Sequence, residues 1–147
     1  MNYKIIKNIL KKENGSIALL KEFSNCIAEI ENIENKLETD ILDIVDGREI
    51  LQKITAYDLK LNKACYLLRE KIEHESTNIT IDIFEKTKRV QETFKAGVAK
   101  ETAKKKTATD RKVLNIFEMY YKNCETIKSS IQSILKTLVE ENLRLSS

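Results

Sequence analysis

The chain has 147 residues, enough for one domain with a real core, and contains no Pro, no Trp and only 3 Gly. Its net charge of +3, with 33% of residues charged, excludes a chain that binds polyanions along its whole length. It has no run of about 18 apolar residues, and the short apolar stretch around Ile5, Ile6, Ile9 and Leu10 closes at Lys11-Lys12-Glu13. A membrane span and a secretion signal are therefore not expected.

The absence of Pro is what long uninterrupted helices need, because a proline removes a donor and clashes with the preceding turn. An all-α fold is predicted. The cysteine count is odd, with Cys26, Cys65 and Cys124, which fits free thiols in a reducing, cytoplasmic setting.

In chain order, residues 1–14 form a short amphipathic segment. It stops at Asn14-Gly15, a pair that tolerates positive φ, and Ser16 is placed to cap the next helix. Residues 16–45 carry Leu20, Phe23, Ile27, Ile30, Ile33, Leu37, Ile41 and Ile44 at steps of three and four, one stripe along a helix.

Asp46-Gly47-Arg48-Glu49 suits a tight reversal followed by a capping box. Residues 48–75 then repeat the pattern through Ile50, Ile54, Tyr57, Leu61, Ala64, Leu68 and Ile72. Two stripes joined by so short a link predict an antiparallel hairpin.

Ser76-Thr77-Asn78 marks a bend, or else the helix runs on through Ile83, Thr87 and Val90 as far as residue 95. Residues 96–110 offer little but Ala and Val98 to bury and read as a basic linker. Between Lys95 and Lys112 seven cations face two carboxylates, a local +5 that leaves −2 for the remainder. Thr109 or Asp110 can cap the last helix, residues 111–145. There Val113, Phe117, Tyr120, Cys124, Ile127, Ile131, Ile134, Leu138 and Leu145 form a 3.5-residue repeat broken only at Glu141.

No residue set spells out a reaction. His74 is the only histidine and is flanked by Glu73 and Glu75, as on a solvated face. The cysteines fall on or beside apolar stripes, none spaced for zinc, so neither a metal site nor a cofactor is expected. The three glycines are isolated and make no phosphate loop. A non-enzymatic protein is predicted.

Function then rests on the stripes. Leu114, Ile116, Met119, Tyr121, Leu135 and Val139 widen the apolar face of the last helix beyond a seam. A greasy helix on a mobile tether predicts a chaperone or adaptor that holds a partner's amphipathic helix on Phe117, Tyr120, Tyr121, Ile127, Ile131, Ile134 and Leu138. A structural coiled-coil subunit, with the same stripes used permanently or for self-association, is the alternative. A third reading gives Lys104, Lys105 and Lys106 a polyanion contact, but no aromatic platform is interleaved with them in the sequence.

Two stretches resemble the flagellar export chaperones of the FlgN type. Ile44-Val45-Asp46-Gly47-Arg48-Glu49-Ile50-Leu51-Gln52-Lys53-Ile54 looks like that family's small-residue turn and the start of its second helix. Asn123-Cys124-Glu125-Thr126-Ile127-Lys128-Ser129-Ser130-Ile131 is similar to the Asn-rich stretch opening its last helix. The resemblance implies a long helical hairpin, a mobile region, and a C-terminal helix that shields an export substrate. The chain departs from the family in being slightly basic and in having one Asn, Asn123, where two are common.

Overall fold

The computed structural model describes residues 1–147 and is all-helical: α1 (Tyr3–Leu10), α2 (Gly15–Glu22), α3 (Ser24–Thr39), α4 (Ile44–Arg89), α5 (Ala96–Lys106) and α6 (Ala108–Ser146). The spine is α4 against α6. Their 46 and 39 residues span about 69 and 58 Å at 1.5 Å per residue. They run antiparallel: Lys71 pairs with Asp110, Arg69 with Glu118 and Asp58 with Lys128, while Gly47 lies against Leu135.

The other helices dress this pair. The α1–α2 unit packs along the middle of the spine, where Tyr3 meets Tyr66 edge-on and Phe23 meets Phe117 edge-on with ring centroids 5.1 Å apart. α3 lies antiparallel to α4, with the Tyr57 hydroxyl donating to Glu29. One contiguous core threads all of them, from Ile6 through Phe23, Ile30, Ile54, Leu61 and Leu68 to Phe117 and Ile131.

The predicted hairpin is present, but its parts are shifted. Its first arm is two helices, broken at Phe23, whose backbone (φ −90°, ψ 0°) leaves the helical register so that its ring can turn into the core. The arm ends at Thr39, and the reversal occupies residues 40–43. Ile41, expected on the stripe, is fully exposed in this turn, and Leu42 is buried in its place.

Asp43 is the cap of α4, its carboxylate accepting from the Asp46 N–H at 2.7 Å. Asp46 and Gly47 are therefore inside the helix and form no turn. Gly47 is there for packing: a Cβ on it would stand 2.8 Å from Leu135 Cδ2. Ser16 likewise caps nothing and is buried in the first turn of α2, which follows Asn14 at φ 53°.

Ser76-Thr77-Asn78 does not interrupt α4. The Thr80 and Thr87 hydroxyls donate back to the Ser76 and Ile83 carbonyls, which satisfies them within the helix. α4 ends in a Schellman arrangement: Glu92 N–H bonds Thr87 O, Gln91 N–H bonds Lys88 O, and Gln91 takes φ 56°.

The stretch read as a linker is helix α5. Its small side chains are the reason: Ala99 and Ala103 are buried against α4, and alanines let two helix backbones approach closely. At Thr107 the chain bends into α6 without a loop. The buried Thr107 hydroxyl donates to Ala103 O and accepts from Arg111 Nε at 2.8 Å. α6 thus begins at Ala108, ahead of the expected caps Thr109 and Asp110.

Two backbone substitutions test this arrangement in opposite directions. Gly15→Ala would place a Cβ 2.6 Å from Ile9 O and 2.7 Å from Leu10 O, so α1 and α2 must part. Its midpoint in a denaturant titration should fall. Gln91→Gly relieves a left-handed residue that carries a side chain and should raise stability by about 0.5–1 kcal/mol. A neutral Gly15→Ala or a destabilising Gln91→Gly would contradict the two turns described.

Candidate partner-binding surface

The long repeat of α6 changes environment along its length. Val113, Phe117, Cys124, Ile127 and Ile131 are buried among the chain's own helices. Three residues expected to meet a partner, Phe117, Ile127 and Ile131, are therefore core, because α2, α3 and α4 already cover that stretch of the stripe. The mobile tether invoked for them is absent, since α5 is helical and docked.

Tyr120 and Tyr121 are half-buried at the edge of this core. The Tyr120 hydroxyl donates to Glu31 at 2.5 Å, and that bond to a carboxylate pushes its pKa up to about 12. Ion pairs fix the flanks of α6: Arg69 with Glu118 at 2.8 Å, Lys71 with Asp110 at 3.0 Å, and Lys128 with Asp58 at 2.7 Å. The last is the most enclosed, with Asp58 in the α4–α6 interface and its Oδ1 without a partner.

Beyond Ile131 the cover thins. Ile134 and Leu138 are half-buried, and past Leu135, which lies against the first turn of α4, Leu143 is 65% exposed and Leu145 86%. The antiparallel register puts the α3–α4 turn at the same end, where Ile41 is 101% and Val45 73% exposed. The stripe thus outlasts the helices that bury it. The signal was already visible in the repeat, which continues to Leu145. What the repeat alone does not show is where α4 begins.

The other candidates are dispersed. Lys104, Lys105 and Lys106 lie exposed in the last turn of α5, where cations suit the helix dipole, and Lys104 pairs with Glu101 at 3.5 Å. His74 is exposed, its Nε2 3.2 Å from Asn78 Nδ2. Burial pushes the thiols up, Cys26 and Cys65 to about 11 and Cys124 to about 12, which suits apolar packing. No three of the His, Cys, Asp and Glu side chains gather as metal ligands would, and no helix is long and apolar enough to cross a membrane. Comparison with protein-family models, with curated proteins and with solved structures finds no match.

Asp58 supplies a pH test of the seam beneath this surface. Its burial raises the pKa, against the lowering effect of the bond from Lys128, and Glu125, beside the Asp58 carboxyl and bonded to Lys128, is lowered. The folded state therefore holds the Asp58 proton more tightly than the unfolded state does. The resulting stabilisation is full below the unfolded carboxylate pKa and is lost as pH rises through the raised value. Glu125 acts oppositely, its stabilisation being lost as pH falls through its lowered value. Denaturant titrations of wild type and Asp58→Asn above the ordinary glutamate pKa, where Glu125 is ionised in both states, should show the wild-type advantage shrinking as pH rises, and a pH-independent difference would refute this assignment.

Proposed function

We propose that the protein is a non-enzymatic helical adaptor or chaperone that holds an amphipathic helix of a partner at the open end of α6. One observation carries this reading: an apolar stripe buried as far as Ile131 continues through the half-buried Ile134 and Leu138 to the exposed Leu145. A partner helix laid there would take the place that α3 takes further along the spine, with anchors spaced three and four residues apart. It would bury Leu138, Val139, Leu143 and Leu145 together and so be kept from other contacts.

The resemblance to the FlgN-type chaperones names the client we propose, a flagellar export substrate. That likeness rests on the apolar spacing of residues 123–131, which lie inside α6 and do not open it, and less on residues 44–54, which begin a helix and make no turn. Of the seven residues first assigned to the partner, Ile134 and Leu138 stay in the proposal as the inner edge of the surface. Phe117, Ile127 and Ile131 support it from beneath.

The test is co-purification from the native host with wild type and with a Leu143→Glu, Leu145→Glu double variant. Both positions are exposed, so the variant should fold with stability within about 0.5 kcal/mol of wild type and lose the partner. Ile131→Glu, which buries a carboxylate in the core, should instead unfold the chain. In hydrogen exchange on the isolated protein, amides from Val113 to Ile131 should be protected and those after Val139 should exchange fast, then slow when the partner is bound. A double variant that retains its partner would overturn the proposal.

A further inference from the structure

The opposite end of the spine carries a second surface, built where α5 folds back on α4. Between them lies an open groove of about 480 Å³. Its apolar walls are Ile81 and Phe94, and Phe84 braces Phe94 edge-on with ring centroids 5.4 Å apart. Its rim is cationic: Lys100, Lys104 and Arg111 line it, and no carboxylate does.

That charge is largely uncompensated by the chain. Lys100 has no carboxylate partner. Arg111 spends its guanidinium on hydroxyls, Nε on Thr107 Oγ1 at 2.8 Å and the terminal nitrogen on Ser76 Oγ at 3.4 Å. The adjacent Asp110 is occupied by Lys71, and Lys104 has only the exposed Glu101 at 3.5 Å. Between Lys95 and Lys112 the sequence holds no apolar residue larger than Val98. The fold brings Ile81 and Phe94 to the lysines.

We propose that this groove binds a short acidic segment of a protein partner, in which carboxylates flank an apolar side chain. The apolar side chain would fill the space between Ile81 and Phe94 while the carboxylates meet Lys100, Lys104 and Arg111. The shape selects among anionic partners. A flat bilayer surface cannot reach the floor of a concave groove between two helices. Nucleic-acid bases need an open aromatic face, whereas Phe94 is half-buried in the groove wall with Phe84 packed edge-on against it. A groove of this volume is suited to a few side chains. From Gly47 to Ile81 is about 50 Å along α4, so this surface is separate from the open end of α6 and does not depend on it.

The experiment is fluorescence anisotropy with the full chain and four probes: a labelled Glu/Leu peptide, a Glu/Ser peptide of equal charge, an oligothymidylate, and phosphatidylglycerol vesicles. The Glu/Leu peptide should bind, more weakly as salt rises, and more tightly than the other three. Lys100→Glu with Lys104→Glu, both exposed positions, should weaken it about tenfold or more with an unchanged melting temperature, and Phe94→Ala should weaken Glu/Leu binding selectively. Leu143→Glu with Leu145→Glu should leave it unchanged, which separates failure here from failure at α6. Equal binding of the Glu/Ser peptide, preference for the oligothymidylate or the vesicles, absence of Glu/Leu binding at low salt, or insensitivity to the lysine variants would each overturn the proposal.

Discussion

The antiparallel packing of α4 on α6 is the constraint on which the rest of the molecule depends. Neither helix is stable alone, because an isolated helix gains little beyond its own backbone bonds and these barely offset the entropy of ordering it. Pressed together, they bury Ile54, Leu61 and Leu68 from one side and Phe117, Cys124 and Ile131 from the other. Each smaller helix is then an answer to what this pair leaves open. α1 and α2 cover the middle, with Phe23 driven against Phe117, and α3 covers the first half of α4. α5 covers the far half, using alanines so that it can sit close.

Register on that spine is set by a few specific contacts. Gly47 has no room for a side chain because Leu135 occupies the space, so α6 cannot slide along α4 without a clash or a void at that level. Lys128 against the enclosed Asp58 fixes the same register electrostatically, since any shift would strand a buried carboxylate. The bend at Thr107 fixes the other end, with one hydroxyl answering both a carbonyl and a guanidinium. With α6 pinned at these three levels, its last residues lie past the start of α4 and the end of α3.

Much of this was legible in the residues, and what was not has a physical reason. Periodicity announced α4, α6 and the α3–α4 hairpin, because burial on one side imposes steps of three and four whatever the partner is. Turn chemistry misled. Gly47 signals a reversal by its backbone freedom, yet the space it needs is required by Leu135, a residue 88 positions away. Gln91 holds the left-handed position that a glycine would advertise, so the end of α4 carried no mark. α5 was hidden for a third reason: Ala99 and Ala103 contribute too little apolar surface to read as a stripe, though close approach needs small residues. The partner surface was half legible. The repeat located it on α6, but which part of a stripe is covered depends on the lengths of other helices, and a local pattern contains no information about them.

The same logic explains why the two ends of the spine differ in character. At the α3–α4 end the exposed apolar residues are aliphatic, Ile41, Val45, Leu143 and Leu145, and the exposed charges around them are mostly carboxylates, among them Asp40, Asp43, Glu140 and Glu141. At the α4–α5 end, apolar walls sit beneath unpaired cations, which reward an opposite charge and penalise a like one. An elongated molecule with aliphatic residues among carboxylates at one end and apolar walls beneath cations at the other offers two surfaces of opposite charge preference, which suits the adaptor we propose. On that proposal, binding energy would come largely from apolar burial at α6, while what accompanies the partner helix would be read about 50 Å away along α4. A rigid α4, uninterrupted through Ser76-Thr77-Asn78, holds the two surfaces at a fixed separation, and a linker at residues 96–110 would have left α5 and its cations free of that constraint.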